Sequence, residues 1–216
     1  MPAGRFGASP IDIAPLDVMG FDAAHRVNFI SHVGLANSRH PQFVTGTYAD
    51  LVDMQPPLHR GGNPVQAQTW GSVPLTVDEQ NRINLFIDER IDEHRAASAR
   101  KVDQYIIRPH TLPRCDADGT VLYWLYSCVG FVVEAYRVAG LDIIVTDEAR
   151  LPPVTLAMIE SAYGTIREVL RGRFGIPGTG NWPVLMAGYV LHALNRTSSE
   201  IRSTPYQPQI GDEVFP

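Results

Sequence analysis

A chain of 216 residues, 44% of them hydrophobic and 19% charged, has enough apolar content for one good core and is most simply one domain over residues 1–216. A net charge of −5 supplies no basic footprint for nucleic acid or an anionic membrane, and two cysteines do not make a disulfide framework. No stretch approaches the ~20 apolar residues of a membrane span, and the first ten residues lack the apolar centre of a signal peptide, so the expected location is the cytoplasm.

Residues 1–10 read as a loose tail, and Ile11 to Gly20 as a strand in which Pro15 suggests an edge or a bulge. Ile30 to Ala36 is a second strand, residues 37–41 a turn, and Gln42 to Tyr48 the returning strand of a hairpin. The Pro-, Gly- and Gln-rich stretch 55–74 is expected to be a long irregular loop. Thr76 and Glu79 form a capping box, and Ile83, Phe86, Ile87 and Ile91 follow at helical spacing, predicting a helix from about 77 to 99. Gln104 to Arg108 is a short strand, and Asp116 to Gly119 a turn leading into Tyr123-Trp124.

Residues 126–140 predict one buried helix, with Ser127 as N-cap, Gly140 as its left-handed stop, and the charges Glu134 and Arg137 sharing one face. Cys128 stands in its first turn. There the unpaired N–H groups and the positive end of the helix dipole stabilise a thiolate, the nucleophilic form of cysteine. The competing readings are a small core residue and a disulfide with Cys115. Leu141 to Val145 is then a short strand, Pro152-Pro153 opens a long helix carrying Leu156 through Leu170, residues 175–180 break it, and a last helix spans about 183–195 before an extended proline-rich end. The order gives α+β with an antiparallel sheet, and a helical C-terminal extension over about 151–200.

Of seven histidines, His32 alone lies within an apolar strand whose small neighbours, Gly34 and Ala36, leave room for a second group. Ser31-His32-Val33-Gly34-Leu35 resembles the "HVGIY" strand, and Ser127-Cys128-Val129-Gly130-Phe131-Val132 the "CSGFV" helix, of the NlpC-type papain-like cysteine hydrolases. Because His32 precedes Cys128, the order is similar to the circularly permuted branch, which includes bacterial permuted amidases and lecithin:retinol acyltransferase-like enzymes. Thr76 to Gln80 and Val102 to Tyr105 resemble the intervening segments of that branch, and the likeness covers about residues 11–146. It implies a papain-like antiparallel sheet packed against helices, Cys128 as nucleophile, His32 as general base, and a small-molecule, peptide or lipid acyl substrate, with no cofactor and no metal.

The family's third, orienting residue lies on the strand after the histidine, where a turn near residues 38–39 would bring Thr45 opposite His32, with Thr47 or His40 as alternatives. A threonine departs from the Glu, His or Asn more common there, and Val129 stands where the family has Ser. The sequence Gly211-Asp212-Glu213-Val214-Phe215 resembles a strand of the unpermuted branch, but no His-Val-Gly follows it, and it is taken as a chance likeness. Two other classes fit the residues: a non-catalytic binding domain of this fold, and a metal hydrolase using His25, His32, His40 and Asp50.

Overall fold

The computed structural model describes residues 3–5, 13–37, 48–49, 51–54, 58–60, 65–99, 111–168, 171 and 180–216, the strands between 48 and 66 by backbone alone. Its centre is a β-hairpin. Strand β2 (Val18–Ala23) turns at Ala24-His25 into the eleven-residue β3 (Arg26–Ala36), pairing Val18 with Leu35, Gly20 with Val33 and Phe21 with His32. The register then shifts, because Ser31 is passed over between the pairs Phe21↔His32 and Asp22↔Ile30. Its hydroxyl donates to the Phe21 and Asp22 carbonyls at 3.1 and 3.2 Å, tying the bulge to the facing strand.

Strands β1 (Gly4–Arg5), β5 (Leu51–Met54), β6 (Leu58–Arg60) and β8 (Thr69–Gly71) complete a six-stranded sheet in the order β1-β8-β2-β3-β5-β6, antiparallel throughout. Three sequence expectations change here. The strand expected over Ile11 to Gly20 is β2, described from Val18, and it lies inside the sheet. Within the expected loop 55–74, residues 58–60 and 69–71 are sheet strands, too short for a two-residue alternation to reveal. The described strand that follows β3 in the ladder is Leu51–Met54, in the register Leu35↔Val52, while residues 42–47 lie outside the described set. Short pairs, β4 (Tyr48–Ala49) with β7 (Val65–Gln66), and β9 (Leu112–Cys115) with β10 (Val121–Leu125), stand apart from the main sheet.

Helix α1 (Val77–Ala99) starts where the capping box predicts: the Thr76 N–H donates to Glu79 at 2.7 Å and the Glu79 N–H to the Thr76 hydroxyl at 3.3 Å. Helix α2 (Cys128–Val138) is followed by Gly140 at φ 86°, a left-handed backbone that suits glycine. Residues 141–145 contribute only a single parallel bridge, Ile144 to Tyr206. The long helix expected from residue 152 is shorter: Val154–Thr155 form β11, paired with β12 (Asn181–Trp182), and α3 (Leu156–Tyr163) stops at Gly164. Helix α4 (Ala187–Leu194) begins four residues later than the expected 183, and α5 (Ser198–Ser203), which the sequence reading passed over, has its own capping box at Thr197 and Glu200.

The architecture is α+β, with antiparallel sheets and a set of helices. The sheet is packed on both faces. Val18, Phe29, Ile30, Val33 and Leu35 meet α1, α2 and α4 in the larger core; Ile13, Met19, Ala36, Ala67 and Trp70, with Phe21 against them, form a smaller one. The C-terminal segment lies across this assembly. Tyr206 bridges to residues 143–145, and further on Ile30 donates to the Glu213 carbonyl at 3.2 Å and Phe215 to the Asn28 carbonyl at 2.8 Å. Gly188 of α4 makes room for that pass, since a Cβ there would meet the backbone of Asp212 and Glu213. The Gly211 to Phe215 motif is therefore paired with the start of the His32 strand, through the bridge Phe29↔Val214. Among the described residues no helix is long and apolar enough to cross a membrane.

Candidate active site around Cys128

The site begins with the entry into α2. Strand β10 runs into Tyr126 and Ser127, whose extended backbone (φ −84°, ψ 170°) ends the strand and whose hydroxyl accepts the Gly130 N–H at 2.9 Å. Cys128 is thus the first residue of a capped helix, next to the positive end of its dipole. It is 4% exposed and belongs to the larger core. Neither Cys128 nor Cys115, on the exposed β9, is in a disulfide, so the disulfide alternative is removed. On the outer face of the helix, Arg137 joins Glu134 at 2.8 Å and Asp142 at 3.2 Å, the charged side expected from sequence.

His32 sits half-buried on β3, directly opposite Phe21, with ring centroids 5.8 Å apart. Directly paired residues share a face of a sheet, and that of Phe21 and Met19 carries the smaller core. Val33 and Leu35 point the other way, into the core that contains Cys128. His32 therefore lies on the Phe21 face of the sheet, and Cys128 lies in the larger core at the start of α2. Thr45, Thr47, His40 and Asp50 lie outside the described residues. His25, in the hairpin turn, lies against the Gly164 position, and among the described residues no three His, Cys, Asp or Glu side chains gather to hold a metal ion.

A buried polar group that the sequence reading missed lies on the other side of the α2 entry. His94 of α1 is fully buried, its Nε2 is 2.8 Å from the Trp124 carbonyl, and its ring packs at 6.0 Å from Tyr126. Tyr126 also meets Phe86 and Phe131 edge-on, and the nearby Arg90 pairs with Glu93 at 2.8 Å. Burial pushes both the Tyr126 hydroxyl and the Glu93 carboxyl above their ordinary pKa ranges, favouring the neutral forms. The signal was present in the chain: position 94 continues the apolar stripe of Ile83 and Ile87 at helical spacing.

No family model, curated protein or solved structure matches this chain. Its function is to be read from the residues themselves.

Proposed function

We propose that the chain is a cysteine-dependent hydrolase or acyltransferase that acts on an amide, ester or thioester through an acyl-enzyme on Cys128, on a papain-like fold of the permuted NlpC type. The observation that carries this reading is a cysteine outside any disulfide at the first position of a capped helix. Thiolate addition to the substrate carbonyl carbon, with the N–H groups at the helix start facing the developing oxyanion, expels an amine, alcohol or thiol that leaves with a proton. Water or a second acceptor then releases the acyl group. His32 is the general base that the resemblance implies.

A second reading is favoured by a specific observation. Cys128 is almost wholly covered and counts among the residues of the larger core, and a thiol so placed also suits a domain of the same fold that binds without turnover. One measurement separates the two: the rate of Cys128 alkylation as a function of pH, with Cys115 in the same molecule as the reference. An activated thiol has an apparent pKa of roughly 3.5–7.5, so Cys128 should react well below pH 8 while Cys115 does not. His32→Ala should then slow the reaction at pH 6 without abolishing it, because the helix dipole remains. A Cys128 no more reactive at pH 6 than Cys115, with His32→Ala inert, sinks the enzyme reading in favour of a binding domain.

A further inference from the structure

We infer that His94 is a positioning residue for Cys128, holding the strand that delivers the thiol to its helix; this rests on the reading of Cys128 as nucleophile. The reason lies in the pairing of β10. Trp124 stands opposite Pro113 of β9, and a proline has no N–H to offer. Whether that pair is of the hydrogen-bonded kind or not, the Trp124 carbonyl receives no bond from residue 113. His94 supplies the donor instead, from a different element, at 2.8 Å. A carbonyl only accepts, so Nε2 carries the hydrogen in this contact whether the ring is neutral or charged.

Trp124 precedes Cys128 by four residues, and the chain between them is gripped a second time. Tyr126 is wedged between His94, Phe86 and Phe131. Phe131 is one turn beyond Cys128 and stacks on Phe86 with centroids 5.8 Å apart. Backbone, side chain and first helical turn are all referenced to one helix, α1. A thiol activated by a helix terminus and a neighbouring base loses that activation steeply with displacement: an error of ~1 Å can cost on the order of a hundredfold in rate. The imidazole on α1 thus sets where the sulfur sits through the strand and the ring that lead to it.

The test is alkylation of folded protein by iodoacetamide across pH 5 to 9, for the native chain, His94→Leu and His94→Gln. Leucine keeps much of the bulk and removes the donor; the glutamine amide restores a donor. His94→Leu should lower the Cys128 rate at pH 6 by about tenfold or more and move its pH midpoint upward, leaving Cys115 unchanged. His94→Gln should recover most of the rate. A native Cys128 that is activated, together with a folded His94→Leu of unchanged rate and midpoint, overturns the role of His94 even if that variant melts earlier. A native Cys128 that is not activated fails the parent reading instead. Should His94→Leu not fold, His94→Gln against the shorter His94→Asn decides, with equal midpoints for the two counting against the proposal.

Discussion

Leu16 is held at φ 71° although it is not glycine and its side chain is buried, a backbone state that costs a residue of its type about 1–3 kcal/mol. The fold sustains it by bonding both of its peptide groups. Its N–H donates to the Ala36 carbonyl at 3.0 Å, and its carbonyl accepts the hydroxyl of Tyr136, a fully buried side chain of α2, at 3.0 Å. The phenol therefore links the helix of Cys128 to the end of the His32 strand. Tyr136→Phe keeps the ring and leaves a buried carbonyl without its donor, so it should lower the unfolding free energy by about 1–3 kcal/mol, read from the midpoint of denaturant unfolding at unchanged slope.

At the scale of elements, the beginning of α1 and the end of α5 are joined by one ion pair. Arg202 reaches the Glu79 carboxylate at 2.7 and 3.0 Å and the Pro74 carbonyl at 2.6 Å. Hydrogen bonding from Arg202 holds the Glu79 carboxyl at about 2, well below its ordinary 4.5. A carboxyl with a depressed folded-state pKa stabilises the fold above its unfolded value and loses that contribution as pH falls through the folded one. The relevant window runs from 4.5 down to about 2. Solvent around the pair limits its worth to about 1 kcal/mol, so Arg202→Met should melt about 2–4 °C lower than the native chain at pH 7, and the gap should close as pH approaches 2 in thermal scans.

The same elements show what a sequence discloses and what it withholds. The capping box of α1, the Ser127 cap and the Asp116 to Gly119 turn are local devices: each depends on residues within four positions, and each is found where it was expected. The strand at Thr69–Gly71 is formed by its neighbour β2, fifty residues away in the chain, and carries no periodicity of its own. The face of His32 was hidden for a related reason. The bulge at Ser31 and the pairing with Phe21 come from the hairpin turn at Ala24-His25, which lacks the Asn-Gly or Asp-Gly pattern that marks a tight turn. Cys128 was legible because helix starts are; its relation to His32 was not, since that depends on which face of a sheet each residue meets.

For the whole molecule, the C-terminal segment acts as a tie between distant parts. It joins residues 143–145, beyond α2, to residues 28–30 at the head of β3, and is clamped on the way by His192, which contacts the Val214 carbonyl at 2.8 Å, and by Arg5, which donates to the Phe215 carbonyl at 3.0 Å. Tyr206 and the Gln209 N–H both donate to Asp212 at 2.6 Å, closing the turn that precedes the pass over Gly188. Gly188→Ala places a methyl group where the Asp212 and Glu213 backbone runs. The expected cost is about 1–3 kcal/mol from overpacking, and limited proteolysis should cut the segment after Thr204 faster than in the native chain.

The two-sided packing of the sheet also gives the protein a spectroscopic asymmetry. Its three tryptophans are distributed among different surroundings: Trp70 in the smaller core, Trp124 beside His94 at the α2 entry, and Trp182 on β12 against the larger core. Intrinsic emission from this chain is accordingly a sum of separate voices, one for each side of the sheet and one for the threshold of the cysteine helix. Single-tryptophan variants turn that sum into a map of which layer loosens first.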